Sequence, residues 1–356
     1  MAMLGCSKPV DSESPAPITA TSGTGAPAAS GQGGATGTAG DAPHAGAGGD
    51  VGGGAGAPQG GAPSAGASGS AAGSGGDGPA DASVPVADGA MPPADAGPAT
   101  GPFPAVTDLQ AEGPFTGASV QNSGPNGGYT IYHPAELAPG GARNPIVGWM
   151  SGGSTDPSLY TLLPHLATHG FVVVASNTVP VIGAEVELGQ EIIAGIDWIL
   201  AQNEDASSMF FEKLDASRVA SMGYSMGALA TTTIADDPRL TTTVHISGGN
   251  MVTERIAKLH APAAFLCGEN DIADPNCATD FAAATTPVFY GQFAEGDHLG
   301  VLFPPYADRI RGVVTGWLRW QLMADTTLKV MFVGSDCTLC KDPNWVVQQR
   351  GRDLTF

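Results

Sequence analysis

The chain of 356 residues has a formal net charge of -20 and contains 52 glycines and 29 prolines. That acidic balance leaves no basic patch for nucleic acid or an anionic lipid surface, so neither is expected as a partner. No apolar run reaches the length of a membrane span.

From about Ser12 to Thr100 the sequence is nearly all Gly, Ala, Pro, Ser and Thr, as in GDAPHAGAGGDVGGG. Such sequence has almost no large apolar side chain to bury and cannot offset the entropy of ordering. The expected organisation is therefore a signal remnant over 1–6, a disordered linker over 7–104 and one folded domain over 105–356. About 250 folding residues suit a single α/β core. The segment Met3-Leu4-Gly5-Cys6-Ser7 is similar to the end of a bacterial lipoprotein signal, with almost nothing upstream of Cys6. The expectation is a start placed too late, a lipid anchor at Cys6 and a folded domain tethered to or secreted from the cell envelope. With Cys6 set aside, Cys267, Cys277, Cys337 and Cys340 allow three disulfide connectivities, the closest pairs being Cys267 with Cys277 and Cys337 with Cys340.

Along the folded part, strand-like and helix-like segments alternate, the pattern of a mostly parallel sheet flanked by helices. YTIYHP reads as an early strand and PIVGWMSGG (145–153) as an apolar run ending at glycines. LYTLLPHLATHG is helix-like, and FVVVASNT (171–178) is a strand buried on both faces. ELGQEIIAGIDWILAQNE (187–204) places Ile192, Ile196, Ile199 and Leu200 at helical spacing. RVASMGYSMGALATTT then runs from an apolar strand into Gly223-Tyr224-Ser225-Met226-Gly227 and an Ala-rich helix. TTTVHISGG, APAAFLCGEND and PVFYGQFAEGDH supply further strands, and a last helix covers PYADRIRGVVTGWLRWQLM.

Gly-x-Ser-x-Gly between strand and helix is the nucleophile elbow of an α/β-hydrolase, where small neighbours let backbones approach a strained serine. Ser225 is thus the candidate nucleophile, and the Met226 amide at the helix N-terminus is a candidate oxyanion donor. A serine needs a base and a carboxylate to orient it, in the chain order Ser, acid, His. Of three later histidines, His245 sits within a strand and His260 precedes one. His298, in AEGDHLG, falls in a loop just after a strand and is the expected base. Asp271, directly after AAFLCGEN, is the expected acid, with Glu269 and Asp274 as competitors and Asp297 as a loop-shaping residue.

With these motifs the sequence resembles the bacterial cutinases and poly(ethylene terephthalate) hydrolases, α/β-hydrolases related to the dienelactone-hydrolase group. The resemblance runs from AEGPFTGASV through LATHGFVVVASNT, LDASRVASMGYSMGA and FLCGENDIADP to GDH, and LDASRVASMGYSMG is its most specific piece. It implies a triad of Ser225, Asp271 and His298 and a second oxyanion donor in SGGSTD, at Ser154 with Gly153 as the alternative. It further implies ester hydrolysis through an acyl-enzyme, an ester substrate, no cofactor and no metal; a monomer is expected. The family's polyester hydrolases usually place a tyrosine beside the oxyanion loop and a tryptophan after the strand following the elbow. Here SGGST and ISGGN stand at those places without an aromatic residue, and Ala228 replaces the second of a usual glycine pair. Nearby Trp149 and Tyr160 are expected to be core aromatics. Aliphatic polyester or lipid-like esters are the leading expectation. The alternatives are small soluble acyl esters such as acetylated sugars, and a surface protein without catalysis.

Overall fold

A computed structural model describes residues 103–249 and 253–350. The proposed signal remnant, the lipid anchor at Cys6 and all but the last two residues of the linker lie outside them. The described elements run β1 (Gly117–Ser123), β2 (Tyr129–Pro134), β3 (Asn144–Met150), α1 (Leu162–Thr168), β4 (Val172–Ser176), α2 (Glu185–Glu204), β5 (Leu214–Tyr224) and α3 (Met226–Thr233). They continue with β6 (Leu240–Ile246), α4 (Thr253–Ile256), β7 (Ala263–Gly268), α5 (Asp274–Ala283), β8 (Val288–Phe293), α6 (Tyr306–Met323), α7 (Thr338–Lys341) and β9 (Trp345–Arg350).

The strands form one sheet in the order β1-β2-β4-β3-β5-β6-β7-β8-β9. The run from β4 through β3, β5, β6 and β7 to β8 is parallel, while β1, β2 and β9 pair antiparallel at the edges. This is the α/β-hydrolase fold expected from the sequence. Strand period dictates the layering, because successive side chains leave opposite faces. Val147 and Trp149 of β3 pack with Leu163, Leu166 and Trp317 of α1 and α6. Their neighbours Ile146 and Met150 pack instead with Ile192, Ile196 and Ile199 of α2. Helices therefore cover both faces, and every residue of β3 and β4 is buried. The connections after β5, β7 and β8 consequently open at the same end of the parallel strands, where ligands of such sheets bind.

Two edge strands went unforeseen in the sequence. Only one large apolar residue, Val120, stands in GASVQNS of β1, and it is exposed. At the other edge β9 is short and pairs on β8 alone. Cys267 joins Cys277 and Cys337 joins Cys340, so the two pairs closest in sequence form the disulfides. The first described residues are held to the fold: Arg319, itself buried, donates to Pro104 O at 2.7 Å.

Candidate active site

Ser225 ends β5 and opens α3 with φ 53° and ψ -113°. A side-chain-bearing residue in that region is strained by roughly 1–3 kcal/mol and persists only where its surroundings force it. Here the forcing is steric. A Cβ on Gly227 would lie 2.0 Å from the Met150 carbonyl oxygen, and one on Gly223 would lie 2.2 Å from the Gly227 backbone. Both glycines are therefore required for α3 to cross so close to β3, and the crossing turns the Ser225 side chain into the cleft.

His298 follows β8, and its Nε2 lies 2.9 Å from Ser225 Oγ. Its Nδ1 lies 2.7 Å from Asp271 Oδ1 in the loop after β7. With the Nδ1 proton donated to Asp271, Nε2 is free to accept from the serine hydroxyl. The Asp271 side chain is fully buried, whereas the His298 ring is 23% exposed. Burial pushes the Asp271 carboxyl up, but the hydrogen bonds from His298 and the Ala273 amide, together with the nearby Ser247 hydroxyl, outweigh it, and the net shift is downward. Asp271 thus stays ionised beside the imidazole. Its competitors are occupied elsewhere. Glu269 accepts from the Glu295 amide at 3.1 Å, and Asp274 accepts from Tyr290 Oη and Gln292 Nε2. Asp297 accepts from the Leu299 amide at 3.0 Å and shapes its own loop. Buried His245 bonds Thr243 Oγ1 at 2.9 Å and lies 4.8 Å from the Phe265 ring, while His260 is exposed.

The base and acid loops are tied to the elbow and to each other. Tyr224, the residue before the serine, donates its hydroxyl to His298 O at 2.6 Å. Burial raises the Tyr224 pKa well above the ordinary phenol value, so this donor remains protonated. The Asn270 amide donates to Gly296 O at 2.7 Å, joining the two loops directly. Beneath them Trp149 meets Tyr160 and Tyr160 meets Tyr224 edge to face, and Tyr224 lies tilted against His298, with centroid separations of 4.8, 5.7 and 5.4 Å. Trp149 and Tyr160 are buried core aromatics, as expected, and line no part of the cleft surface. Nothing in the order of residues announces the Tyr224 bond; only its place in the elbow hints at it.

The two candidate oxyanion amides of SGGSTD, at Ser154 and Gly153, differ in how they are engaged. The Ser154 amide donates to Pro180 O at 3.1 Å, with Ser154 held at φ 60°. The Gly153 amide makes no hydrogen bond among the described residues and lines the cleft beside Met226. Gly153 is thereby the available donor of the two. Tyr160 Oη accepts from the Gly152 amide at 2.8 Å and meets Thr155 Oγ1, which fixes the loop from within the core. The Met226 amide, at the first position of α3, has no intrahelical acceptor.

The cleft encloses about 480 Å³ and is lined around Ser225 and His298 by Gly153 to Thr155 and by the apolar Pro180, Val181, Ile182, Leu299 and Leu302. Val181 is 64% exposed, Ile182 91% and Leu299 54%. The aliphatic loop TVPVIG between β4 and α2 was missed in the sequence, although three apolar residues stranded between a strand and a helix were its signal. Asn250, where the family's tryptophan is expected, lies outside the described residues. A larger concavity of about 660 Å³ beside α6 holds Asp108, Asp308 and Arg309 but no nucleophile–base pair. Among the described residues no three His, Cys, Asp or Glu side chains gather to share a metal ion. No helix there is long and apolar enough to cross a membrane.

Cutinase est1 of Thermobifida alba is 36% identical over 140 residues, covering 38% of this chain and 45% of that protein. Cutinase 2 of Thermobifida cellulosilytica is 34% identical over the same length, 51% of that protein, and cutinase cut1 of Thermobifida fusca is 34% identical over 42% of it. The chain spans about half the length of these curated relatives. The PET hydrolase-like (PETase) family model matches residues 93–298, more than half of the chain and the whole stretch from the first described strand to His298, and the chain belongs to that family.

Proposed function

We propose that the protein is a serine ester hydrolase in which Ser225 is the nucleophile, His298 the general base and acid, and Asp271 the group that orients the imidazole. The observation that carries this reading is the hydrogen-bonded series from Ser225 Oγ through His298 to buried Asp271, at a strained elbow facing two unpaired amides. His298 Nε2 takes the Ser225 proton as Oγ attacks the ester carbonyl. The resulting oxyanion is received by the amides of Met226 and Gly153, each such donor being worth about 10²–10³ in rate. His298 returns the proton to the departing alcohol, then takes one from water as it attacks the acyl-enzyme. Ser225 recovers that proton when the acid leaves. No step calls for a cofactor.

The substrates we infer are aliphatic polyester or lipid-like esters. Support comes from the apolar wall of Pro180, Val181, Ile182, Leu299 and Leu302, which offers acyl chains a surface without an aromatic ring. The relatives' name, cutinase, agrees with that class. We further infer an enzyme that works outside the cytoplasm as a monomer, tethered by its Gly/Ala/Pro/Ser-rich segment and a lipid on Cys6. The full chain should hydrolyse p-nitrophenyl butyrate and octanoate faster than acetate, and Ser225→Ala should lose about 10⁴-fold or more. Preference for acetate would favour the small-ester reading. Equal inactivity of two folded proteins would remove the enzymatic one.

A further inference from the structure

Asp271 uses one carboxylate oxygen twice. Oδ1 accepts from both His298 Nδ1 and the Ala273 amide, at 2.7 and 2.8 Å. Oδ2 is buried without a hydrogen-bond partner among the described residues, and so is Ser247 Oγ. Buried polar atoms are rarely left in that condition without a functional reason. The two belong to one cluster, for the Ser247 hydroxyl lies near enough to the Asp271 carboxyl to help hold its pKa down.

The backbone around Ser247 is built to keep it there. Ser247 directly follows β6 and donates its amide to Leu266 O of β7 at 2.7 Å, just upstream of the loop that carries Asp271. Gly248 is pressed on the elbow: a Cβ there would lie 2.6 Å from Ser225 O. On Gly249 it would lie 2.3 Å from the Asn276 backbone at the start of α5. The strip 247–249 is thus wedged between the nucleophile's turn and the acid's loop. Ser247 itself has φ 49°, a conformation in which glycine would be unstrained and a side chain is not. A fully buried serine held at positive φ beside an unpaired carboxylate oxygen keeps its Cβ for the sake of the hydroxyl.

We propose that Ser247 is a positioning residue for the reaction, donating its hydroxyl to Asp271 Oδ2 so that Oδ1 is held toward His298. It touches no substrate and acts only through Asp271, so the inference rests on the triad reading above. The chain is then Ser225, His298, Asp271, Ser247, with both oxygens of the acid engaged.

The test compares Ser247→Ala and Ser247→Gly in the full chain with p-nitrophenyl butyrate, beside Ser225→Ala and Asp271→Asn. Ser247→Gly relieves the backbone strain, so it supplies a folded variant even where alanine does not. The expected result is a fall in kcat of about 10-fold, the scale of one hydrogen bond to a charged group, with KM within twofold. The acid limb of the kcat profile should also move to higher pH, since a carboxylate that loses a donor holds its proton more readily. In the Asp271→Asn background the Ser247 change should add nothing. A folded Ser247→Gly with kcat within twofold of the parent overturns the proposal, as does an undiminished loss in the Asp271→Asn background. If Ser225→Ala retains activity, the triad reading fails instead, and the two failures are distinguished.

Discussion

Replacing Val181 and Ile182 together by serine tests what the aliphatic wall does. Both side chains are well exposed, so the fold is little affected; surface changes away from special features stay within about 0.5 kcal/mol. The wall's worth follows from the methylenes it shelters. Each methylene fully removed from water contributes about 0.8 kcal/mol. Octanoate carries six more than acetate, and in a cleft walled on one side and open on the other roughly half of that, about 2.4 kcal/mol, is recovered. The parent should then prefer p-nitrophenyl octanoate to acetate by about 50-fold in kcat/KM. Val181 and Ile182 are two of the five residues of that wall; if they shelter about half of the chain, the double substitution should cost about 1.2 kcal/mol and reduce the preference roughly sevenfold. Initial rates on acetate, butyrate and octanoate below their micellar concentrations measure the ratio, with acetate as internal reference because it has no chain to reach the loop. An unaltered ratio in an active double variant refutes the reasoning and leaves the chain to Leu299 and Leu302.

Two further outcomes follow from buried groups outside the cleft. The His165 and His169 rings lie tilted with centroids 4.4 Å apart, and burial is the largest cause that pushes their pKa values down, to about 3 and about 4. Both are neutral in the fold, so their stabilisation is complete above about pH 6.5 and drains as pH falls toward 4, by roughly 2 kcal/mol each at pH 5. Urea unfolding should show His165→Gln/His169→Gln losing much less stability between pH 8 and 5 than the parent, with His245, pushed down to about 4 by burial, supplying the remainder; an equally steep loss would show that the pair is not the source. The disulfide Cys267–Cys277 closes a segment of ten residues containing Asp271. Changing both cysteines to alanine should lower stability by about 3 kcal/mol on the loop-closure account, and kcat should fall more than KM changes, because the loop that orients His298 is loosened; unaltered kcat and Tm would refute it.

How far the sequence could be read depended on what each feature needs. The elbow was legible because Gly223, Ser225 and Gly227 answer to local sterics that no other residues satisfy. β3 and β4 were legible because both of their faces are apolar. β1 was not, since GASVQNS pairs at an edge and buries almost nothing. The order of Ser225, Asp271 and His298 follows from chain topology, yet the choice between the Ser154 and Gly153 amides does not. Every residue carries an amide, and whether it is free depends on how the loop reaches Pro180 O. Ser247 was invisible for a related reason: in ISGGN it reads as a turn serine, and only the meeting of β6 with the loop after β7 gives it a carboxylate to face.

In the proposed reaction, proton transfer and recognition fall to different parts of the fold. Ser225, Asp271 and His298 stand at the ends of adjacent or near-adjacent parallel strands, and Tyr224, Asn270 and Gly296 bind their loops to one another. Any movement of one loop strains the others, so the spacing that proton transfer needs is protected by the sheet itself. The apolar wall, by contrast, draws Leu299 and Leu302 from the segment after His298, and Pro180, Val181 and Ile182 from the exposed connection between β4 and α2, which the bond from Ser154 to Pro180 O links to the segment after β3. Side chains there can change without disturbing a buried contact. Of the aromatic residues at this end of the fold, Trp149 and Tyr160 lie buried beneath Tyr224 and His298, so they are not available to grip a substrate. On the proposed reaction, substitutions at Val181 and Ile182 are therefore expected to change acyl selectivity while the spacing of Ser225, His298 and Asp271 stays constant.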